Sequence, residues 1–526
     1  MKTINRLKSL KAHLAIVVMM ALAMTFHSCE QFELEEDVNK SRLSVLPYES
    51  VAEMDLAVVG AFDRLWNAYR QTTGVVSAYS GDDLTTHRAS NKADFREFDQ
   101  RAVTTVNTRL STNWARKYGA IRAANTVIVN AEETQLTNQA LQNRFTGEAR
   151  FIRAIVFLDL TRMYGEIPLV DGITPDLEIS LSSQAEIYAQ IESDLLFAES
   201  VLPVSTNEGT TRPSSGSARA MLARLYMDWA GWPVKDTGKY AMAATSARTV
   251  IDNAAAHGYA LVPDMATLYT VAGTVNSEGV FSVSFCDPCG RPNTKNGRLG
   301  LPGDFNGWQE SFAEIRFFED MPEGPRKDAT YHTEIPLDAN GNVTADVANA
   351  VTMLPWTEFK DQQNPVFRKI VGPFEDNLFG QFRGSRTDYL IRYADVLLMY
   401  AEASGRSGSV PADAWAALNA VRARAGLPDL NSADGAIEEL AYTERKWELA
   451  GEYQRWNDLV RMERVEEALS NRNPRTSIGT VFDGAGNPTP TPLTEASNPI
   501  KGSLSTDNYH HPLPPAEVDQ LPNLGN

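Results

Sequence analysis

Apolar residues recur at three- and four-residue spacing along most of this chain. That spacing puts them on one face of a helix, so it predicts amphipathic helices that each bury one side. The pattern is present in the segments 51–70, 113–133, 147–163, 185–203, 214–232, 238–258, 386–405, 411–428 and 438–469. We therefore predict a mostly α-helical protein.

Small residues mark the faces on which these helices would meet. They cluster at Ala120, Ala123 and Ala124, at Ala218, Ala220 and Ala223, and at Ala241, Ala243, Ala244 and Ala247. Small contact residues let two helices approach closely, and helix pairs of this kind stack into tetratricopeptide-like arrays. Because the repeat length is irregular, this prediction depends on helix pairing and not on a fixed period.

The interval 259–385 differs from the rest of the chain. It is rich in Gly, Pro and Asn and holds short β-like pieces such as VFSVSF at 280–285. The segment DANGNVTAD at 338–346 has the residues of a hairpin turn. We predict a loop-rich, irregular portion with short β-hairpins, and an insertion of this length is more often functional than idle.

The start of the chain has the features of an export signal. Basic residues precede an apolar run at 14–24, and Ser28 and Cys29 follow it. The run is too short to span a bilayer, although an uncleaved anchor helix is the alternative. The order resembles a bacterial lipobox, in which Cys29 is acylated and begins the mature chain.

These features divide the chain into a leader, a tether and a body. We predict a lipoprotein signal peptide at 1–28, an acidic tether at 29–45 and a single body at 46–526. Within the body we predict helix pairs at about 50–258 and 386–469, the loop-rich insertion at about 259–385, and an irregular tail at 470–526.

The charge balance narrows the choice of partners. At 43% hydrophobic and 22% charged, the body can bury a large core. The formal net charge is −18, and removal of residues 1–28 takes away four Lys or Arg residues and no acidic residue. Such a surface repels phosphate backbones and anionic lipid heads, so nucleic-acid binding is disfavoured and membrane contact is expected through the lipid anchor only.

Two cysteines remain in the body, Cys286 and Cys289 in FCDPCG. A structural zinc site usually needs a second pair of ligands, which is missing, and a thioredoxin-like site would need a βαβ context. In an exported protein we favour a local disulfide that holds a loop. We expect no metal and no cofactor.

The most heavily charged helix is 147–163, within GEARFIRAIVFLDLTRMYGEIPLV. Glu148 would lie in the first turn, where a negative charge suits the helix dipole. Asp159 and Arg162 are three residues apart and could pair along the surface. Gly165 would end the helix, so we interpret these charges as structural and not catalytic.

At this point the chain resembles a known family. The stretch 147–170 resembles the signature of the SusD/RagB family of outer-membrane lipoproteins of Bacteroidetes. The resemblance continues in order through RPSSGSARAMLARLYMDWAGWP (212–233), YLIRYADVLLMYAEAS (389–404), ALNAVRARAGLP (417–428), ERKWELAGEYQRWNDLVR (444–461) and the ending HHPLPPAEVDQLPNL (510–524). In that ending, Leu513 stands where the family usually has Ile.

The resemblance implies a tetratricopeptide-like scaffold that binds a nutrient at the cell surface. It implies an oligosaccharide or peptide ligand, delivered into a SusC-like, TonB-dependent barrel in the outer membrane, and no chemistry on that ligand. The acidic run after Cys29 also resembles the export signal that sends such lipoproteins to the exterior.

Sugar binding needs flat apolar faces together with polar groups that reach the hydroxyls. We therefore select aromatic residues in loops, which are Trp308, Trp356, Phe305 and Tyr269. The resemblance adds the segment 77–91 after the first helix, with Tyr79, Asp82, Asp83, His87 and Arg88. We assign the helical tryptophans Trp66, Trp114, Trp229, Trp447 and Trp456 to the core, and Trp232 to a structural role.

Two other classes of function compete with nutrient binding. A glycosidase would need two carboxylates at a set separation, and a triad hydrolase is expected to show a G-x-S-x-G turn. We find no pattern for the first and no motif for the second. We therefore expect no enzyme. A protein-interaction scaffold, or a transporter lid that binds peptide or little ligand itself, is the stronger alternative.

Overall fold

A computed structural model describes residues 46–524 except 89, 207–208, 309, 471, 473–477, 483–487 and 493–497. The predicted leader, Cys29 and all of the acidic tether lie outside the described residues. Across the part that is described, no helix combines the length and the apolar character needed to cross a bilayer.

Helices make up most of the described structure. Up to the insertion they are α1 Val51–Tyr69, α2 Ala93–Asp99, α3 Thr108–Glu132, α4 Gln139–Tyr164, α5 Gln184–Val201, α6 Ser215–Ala230, α7 Lys239–Asp252 and α8 Ala254–His257. Within and after it they are α9 Ile315–Asp320, α10 Pro325–Thr330, α11 Arg368–Val371, α12 Tyr393–Arg406, α13 Ala412–Arg424, α14 Ile437–Glu448, α15 Arg455–Arg461, α16 Val465–Leu469 and α17 Pro515–Gln520.

The long helices pack as successive neighbours. Helix α3 lies against α1 and α4, and the contacts then run from α4 to α5, from α5 to α6 and from α6 to α7. Helix α7 packs on α12, although the insertion separates the two in sequence, and α12 packs on α13 and α14. One apolar cluster runs through these helices, so the predicted mostly α, tetratricopeptide-like scaffold is confirmed.

The local sequence explains where the helices begin and end. Ser183 and Ser214 each form a capping box at the start of a helix, α5 and α6 respectively. Gly165 ends α4 with a φ of +79°, as predicted, because a positive φ carries little cost only for glycine.

The strands are short and paired. They are β1 Leu84–Thr85, β2 Gly279–Val283, β3 Phe312–Ala313, β4 Tyr331–His332, β5 Glu334–Leu337, β6 Thr352–Pro355, β7 Val366–Phe367, β8 Asp388–Arg392, β9 Ile478–Phe482 and β10 Pro488–Pro492. The antiparallel pairs are β1 with β3, β2 with β8, β4 with β7, β5 with β6, and β9 with β10.

Three predicted helices differ from the observed ones. The one predicted over 238–258 is divided at Asn253 into α7 and α8. The helix predicted over 386–405 begins only at Tyr393, because residues 388–392 pair with β2 as strand β8. The segment predicted as one helix over 438–469 is divided into α14, α15 and α16. The divisions fall at Gly451, Tyr453 and Glu463, which all have positive φ and cannot continue a helix.

The charges of helix α4 are structural, but not in the way the sequence predicts. The helix begins at Gln139, so Glu148 lies in its interior, where it is buried and paired with Arg144 and Arg212. The predicted surface pair of Asp159 with Arg162 is wrong. Both side chains turn to neighbouring helices instead.

Each of these two charges has an interhelical partner. Asp159 accepts a hydrogen bond from Lys117 of α3 at 3.0 Å, and Arg162 donates to Asp228 of α6 at 2.7 Å. The charges of α4 therefore connect helices of the array, which agrees with the structural interpretation.

Candidate functional site

Trp308 is the most exposed of the aromatic residues selected from the sequence, with 48% of its surface accessible. Its loop turns tightly before it. Asn306 adopts the left-handed region, and a Cβ on Gly307 would lie 1.8 Å from the carbonyl oxygen of Leu301. The backbone N–H of Trp308 then donates a hydrogen bond to the Arg298 carbonyl at 2.9 Å. This turn fixes the direction in which the indole leaves the backbone.

Two side chains hold the Trp308 indole in place. The ammonium of Lys92 lies 4.7 Å from the ring centroid, and the ring of Phe382 meets it edge-on at 4.9 Å. Lys92 is only 2% exposed and pairs with Glu310 at 3.3 Å. Burial lowers the pKa of Lys92, and Glu310 opposes that shift. We call Trp308, Phe382 and Lys92 the Trp308 platform.

Phe382 is itself anchored. The Arg298 guanidinium lies 4.8 Å from its ring centroid and donates to the Gly380 carbonyl at 2.8 Å. An aromatic ring with one supported side and an exposed remainder suits contact with the apolar face of a sugar ring. The platform is therefore the best-formed aromatic surface among the predicted residues.

Phe305 and Trp356 contribute less surface than predicted. Both are half-buried against the apolar cluster of the loop-rich portion. Phe305 meets Phe359 at 5.1 Å, and Trp356 meets Phe318 at 6.1 Å, in each case edge-on. Their rings mainly fill the core of the insertion.

The structure corrects the predicted exposure of four candidate ligand contacts, which are Tyr79, Asp82, Asp83 and Tyr269. All four are buried, although the sequence placed them in exposed loops. Asp82 forms a two-point pair with Arg455 at 2.7 and 3.1 Å, and Tyr269 donates to Glu452 at 2.8 Å.

The other two buried residues also have internal partners. Tyr79 shares a hydrogen bond with Ser311 at 2.6 Å, and Asp83 accepts from the Gly451 N–H at 3.0 Å. Burial raises the pKa of Asp83 to about 6. The Tyr79 hydroxyl and one Asp83 oxygen are thus paired inside the protein, whereas Oδ1 of Asp83 is buried without a hydrogen-bond partner. The two contacts dock the 77–91 segment.

His87 also joins that segment to the insertion. Its imidazole contacts Asp361 at 2.9 Å, and Asp361 accepts from the Gly303 N–H at 2.7 Å. Arg88, the next residue in the sequence, is half-buried. The 77–91 segment thus lies beside the loop that carries Trp308, because Lys92, which follows the segment directly, contacts the Trp308 ring.

A second candidate region is a cavity of about 310 Å³ against α1 and β2, which is lined by none of the platform residues. Its lining includes Phe62, Trp66 and the cysteines, and Asp63 pairs with Arg291 at 2.8 Å beside it. Cys286 and Cys289 are disulfide-bonded, with their Cα atoms 5.2 Å apart. Trp66 is half-buried here, whereas Trp114, Trp229, Trp447 and Trp456 are core residues.

The sequence reading missed Phe382, Lys92 and Arg298. Phe382 follows the same rule as Trp308, because it is an aromatic residue between glycines in a loop, so that rule could have found it. Lys92 and Arg298 carry no such signal, since their contacts depend on residues distant in sequence.

Comparison with known proteins gives two family matches. A model described as "SusD family" matches residues 352–526, and one described as "Starch-binding associating with outer membrane" matches residues 35–227. The chain is 26% identical over 493 residues to SusD-like protein P2 of Formosa agariphila, which covers 86% of this chain and 91% of that protein. It is 24% identical over 468 residues to a SusD-like protein of Bacteroides ovatus, covering 85% and 82%.

Solved structures agree with these matches. A laminarin binding SusD-like protein superimposes with a TM-score of 0.70 at 25% identity, covering 91% of this chain and 99% of its own. A SusD superfamily protein from Parabacteroides distasonis gives a TM-score of 0.72 at 22% identity, with coverage of 91% and 99%.

Proposed function

Since this chain belongs to the SusD/RagB family, we propose that it is an oligosaccharide-binding lipoprotein of the bacterial cell surface. The observation that carries the proposal is the Trp308 platform. It offers an indole that is 48% exposed and is supported by Lys92 and Phe382. Such a surface binds a sugar ring without acting chemically on it, so the function proposed is binding without catalysis.

The sequence and the family support the following cellular setting. Cys29 carries the lipid, and the outer membrane holds the protein with its body facing the exterior. The body delivers its ligand to a SusC-like, TonB-dependent barrel. The family description "Starch-binding associating with outer membrane" supports this location, and the laminarin bound by a relative of the same fold supports a saccharide as the ligand.

The test is calorimetric titration of the full chain in detergent with neutral and acidic oligosaccharides and with peptides. Trp308→Ala should weaken saccharide binding by about 1–3 kcal/mol, as is usual for a central aromatic contact. Met353→Ala is the control, because Met353 is a large apolar residue of the same loop-rich portion that is 42% exposed. It should leave the affinity unchanged.

Other results would contradict the proposed function or its site. Breakdown of the oligosaccharide during titration would contradict a binding protein without catalysis. Saturable binding of peptides alone, or of no member of the panel, would favour a lid whose main partner is the transporter. Equal losses in both variants would place the site away from the platform.

A further inference from the structure

Three arginines lie together beside the Trp308 platform. Arg109 and Arg116 are seven residues apart on α3, so they share one face of the helix about 10 Å apart. Arg70 follows α1 directly. The charges of Arg70 and Arg109 are close enough to act on the pKa of Arg116. We call Arg70, Arg109 and Arg116 the arginine cluster.

The arginine cluster has few acidic partners. Arg109 has Asp94 at 3.7 Å, with about a third of each side chain exposed. Arg70 donates to the Asn67 side-chain oxygen at 3.1 Å and lies 5.3 Å from the Trp66 ring centroid. In the part of the chain that the structure describes, no carboxylate forms an ion pair with Arg70 or Arg116.

Arg116 is the least satisfied member. Its Nη1 atom is buried and has no hydrogen-bond partner. Burial lowers its pKa, and the like charges of Arg70 and Arg109 lower it further. A guanidinium in this position is destabilised in the empty protein and would be stabilised by a bound anion.

A continuous set of contacts connects the cluster with the platform. Arg109 donates to the Thr73 hydroxyl at 3.0 Å, and the neighbouring Thr72 donates to Glu310 at 2.8 Å. Glu310 in turn pairs with Lys92, which lies under Trp308. The charge of Arg109 also acts on the pKa of Lys92, so this end of the cluster lies close to the platform.

The position of the cluster is notable because the whole chain has a net charge of −18. Like-charged arginines with few carboxylates beside them cost stability, and such an arrangement is common where a protein recognises an anion. We infer that the ligand is an anionic oligosaccharide, whose sugar ring stacks on Trp308 and whose carboxylate or sulfate groups bind Arg70, Arg109 and Arg116. This inference rests on the proposed function and narrows its ligand class.

The experiment begins with the full chain in detergent on a glycan array of neutral, uronate-bearing and sulfated oligosaccharides. Each acidic hit is then titrated together with its neutral partner, which is the methyl ester of a uronate or the desulfated form of a sulfate ester. The acidic form should bind at least tenfold more tightly at low salt, and the difference should shrink as salt screens the charges. The two kinds of pair distinguish carboxylate from sulfate recognition.

Variants of α3 then locate the effect. Arg116→Gln should weaken binding of the acidic form at least tenfold and leave the neutral form unchanged, and Arg116→Lys should restore part of the loss. Arg122→Gln is the matched control, because Arg122 is an exposed arginine of the same helix on another face. The melting temperature of Arg116→Gln should equal or exceed that of the native protein, since an unpaired cation is removed.

The outcomes separate this inference from the function on which it depends. If neutral and acidic forms bind equally and Trp308→Ala weakens both, the saccharide function stands and the anionic ligand is ruled out. If Arg116→Gln lowers the melting temperature and weakens both forms, the arginine is structural. If no saccharide binds, the function and the inference fail together.

Discussion

Buried pairs of arginine with carboxylate are the main polar contacts between the helices. Arg153 of α4 illustrates them, because it forms two hydrogen bonds of 2.7 Å to Asp194 of α5 and a third, of 2.9 Å, to Asn125 of α3. Arg153 is 4% exposed and Asp194 is fully buried. Each such charge depends on its partner, since an unpaired ion in the interior is strongly unfavourable.

Arg153→Leu should therefore destabilise the protein by about 3–5 kcal/mol, because it leaves Asp194 buried without its main partner. Arg150→Leu is the matched control, since Arg150 is 3.8 Å from the same carboxylate and its side chain is 24% exposed. That change should cost less than about 1 kcal/mol. Urea titrations of the two variants measure the difference, and equal midpoints would contradict this account.

Close helix contacts in the array depend on residues without side chains. Gly147 of α4 faces α5, and a Cβ there would lie 2.5 Å from the Cγ2 atom of Val201. Valine is stiff at χ1, so the neighbouring helix would have to move. Gly119 of α3 is different, because a Cβ there would meet nothing within 4 Å.

These two glycines predict opposite effects of the same substitution. Gly147→Ala should destabilise the protein by about 1–3 kcal/mol through overpacking, although alanine favours helix. Gly119→Ala should stabilise it by about 0.5–1 kcal/mol, because only the helix propensity changes. Thermal melts of the two variants test this, and a shift of the same sign in each would show that packing is not the deciding factor.

The C-terminal segment packs against the C-terminal end of α4. The backbone N–H of His511 donates a hydrogen bond to the Met163 carbonyl at 2.8 Å. The His511 ring stacks over Trp456 and meets the Phe98 ring edge-on. The preceding His510 packs on Trp232 at 4.8 Å. The structural role assigned to Trp232 agrees with this contact.

The docking should be sensitive to acid. Burial lowers the pKa of His510 to about 4, and burial and Arg101 lower that of His511 well below its usual value. Below an unfolded pKa of about 6.5 the unfolded chain binds more protons at these residues, so stability is complete above that pH and is lost as pH falls towards 4. Asp83, with its pKa raised to about 6, acts in the opposite direction between pH 6 and 4.

We therefore expect His510 to cost about 1–2 kcal/mol of stability between pH 7 and pH 5. His510→Gln should flatten the dependence of the melting temperature on pH over that range. His257→Gln serves as the control, because this imidazole lies elsewhere and contacts the Val204 carbonyl at 2.8 Å. Identical pH profiles for native protein and His510→Gln would contradict the assignment.

Much of the architecture could be predicted from sequence because helix formation is encoded locally. The spacing of apolar residues, the capping serines and Gly165 mark most of the helices. The exposed Trp308 could also be found, since an aromatic residue in a loop rich in Gly and Asn has little local core to enter.

Burial in loops and the pairing of charges could not be read in this way, because they depend on residues far apart in the chain. Asp82 and Arg455 are 373 positions apart, and their pairing turns an apparent ligand contact into an internal one. In the same way α7 meets α12 across the whole insertion, and β2 turns the start of a predicted helix into β8. Local sequence thus determined the helices and the exposed indole, whereas only the folded chain decided which polar groups remain at the surface to meet a ligand.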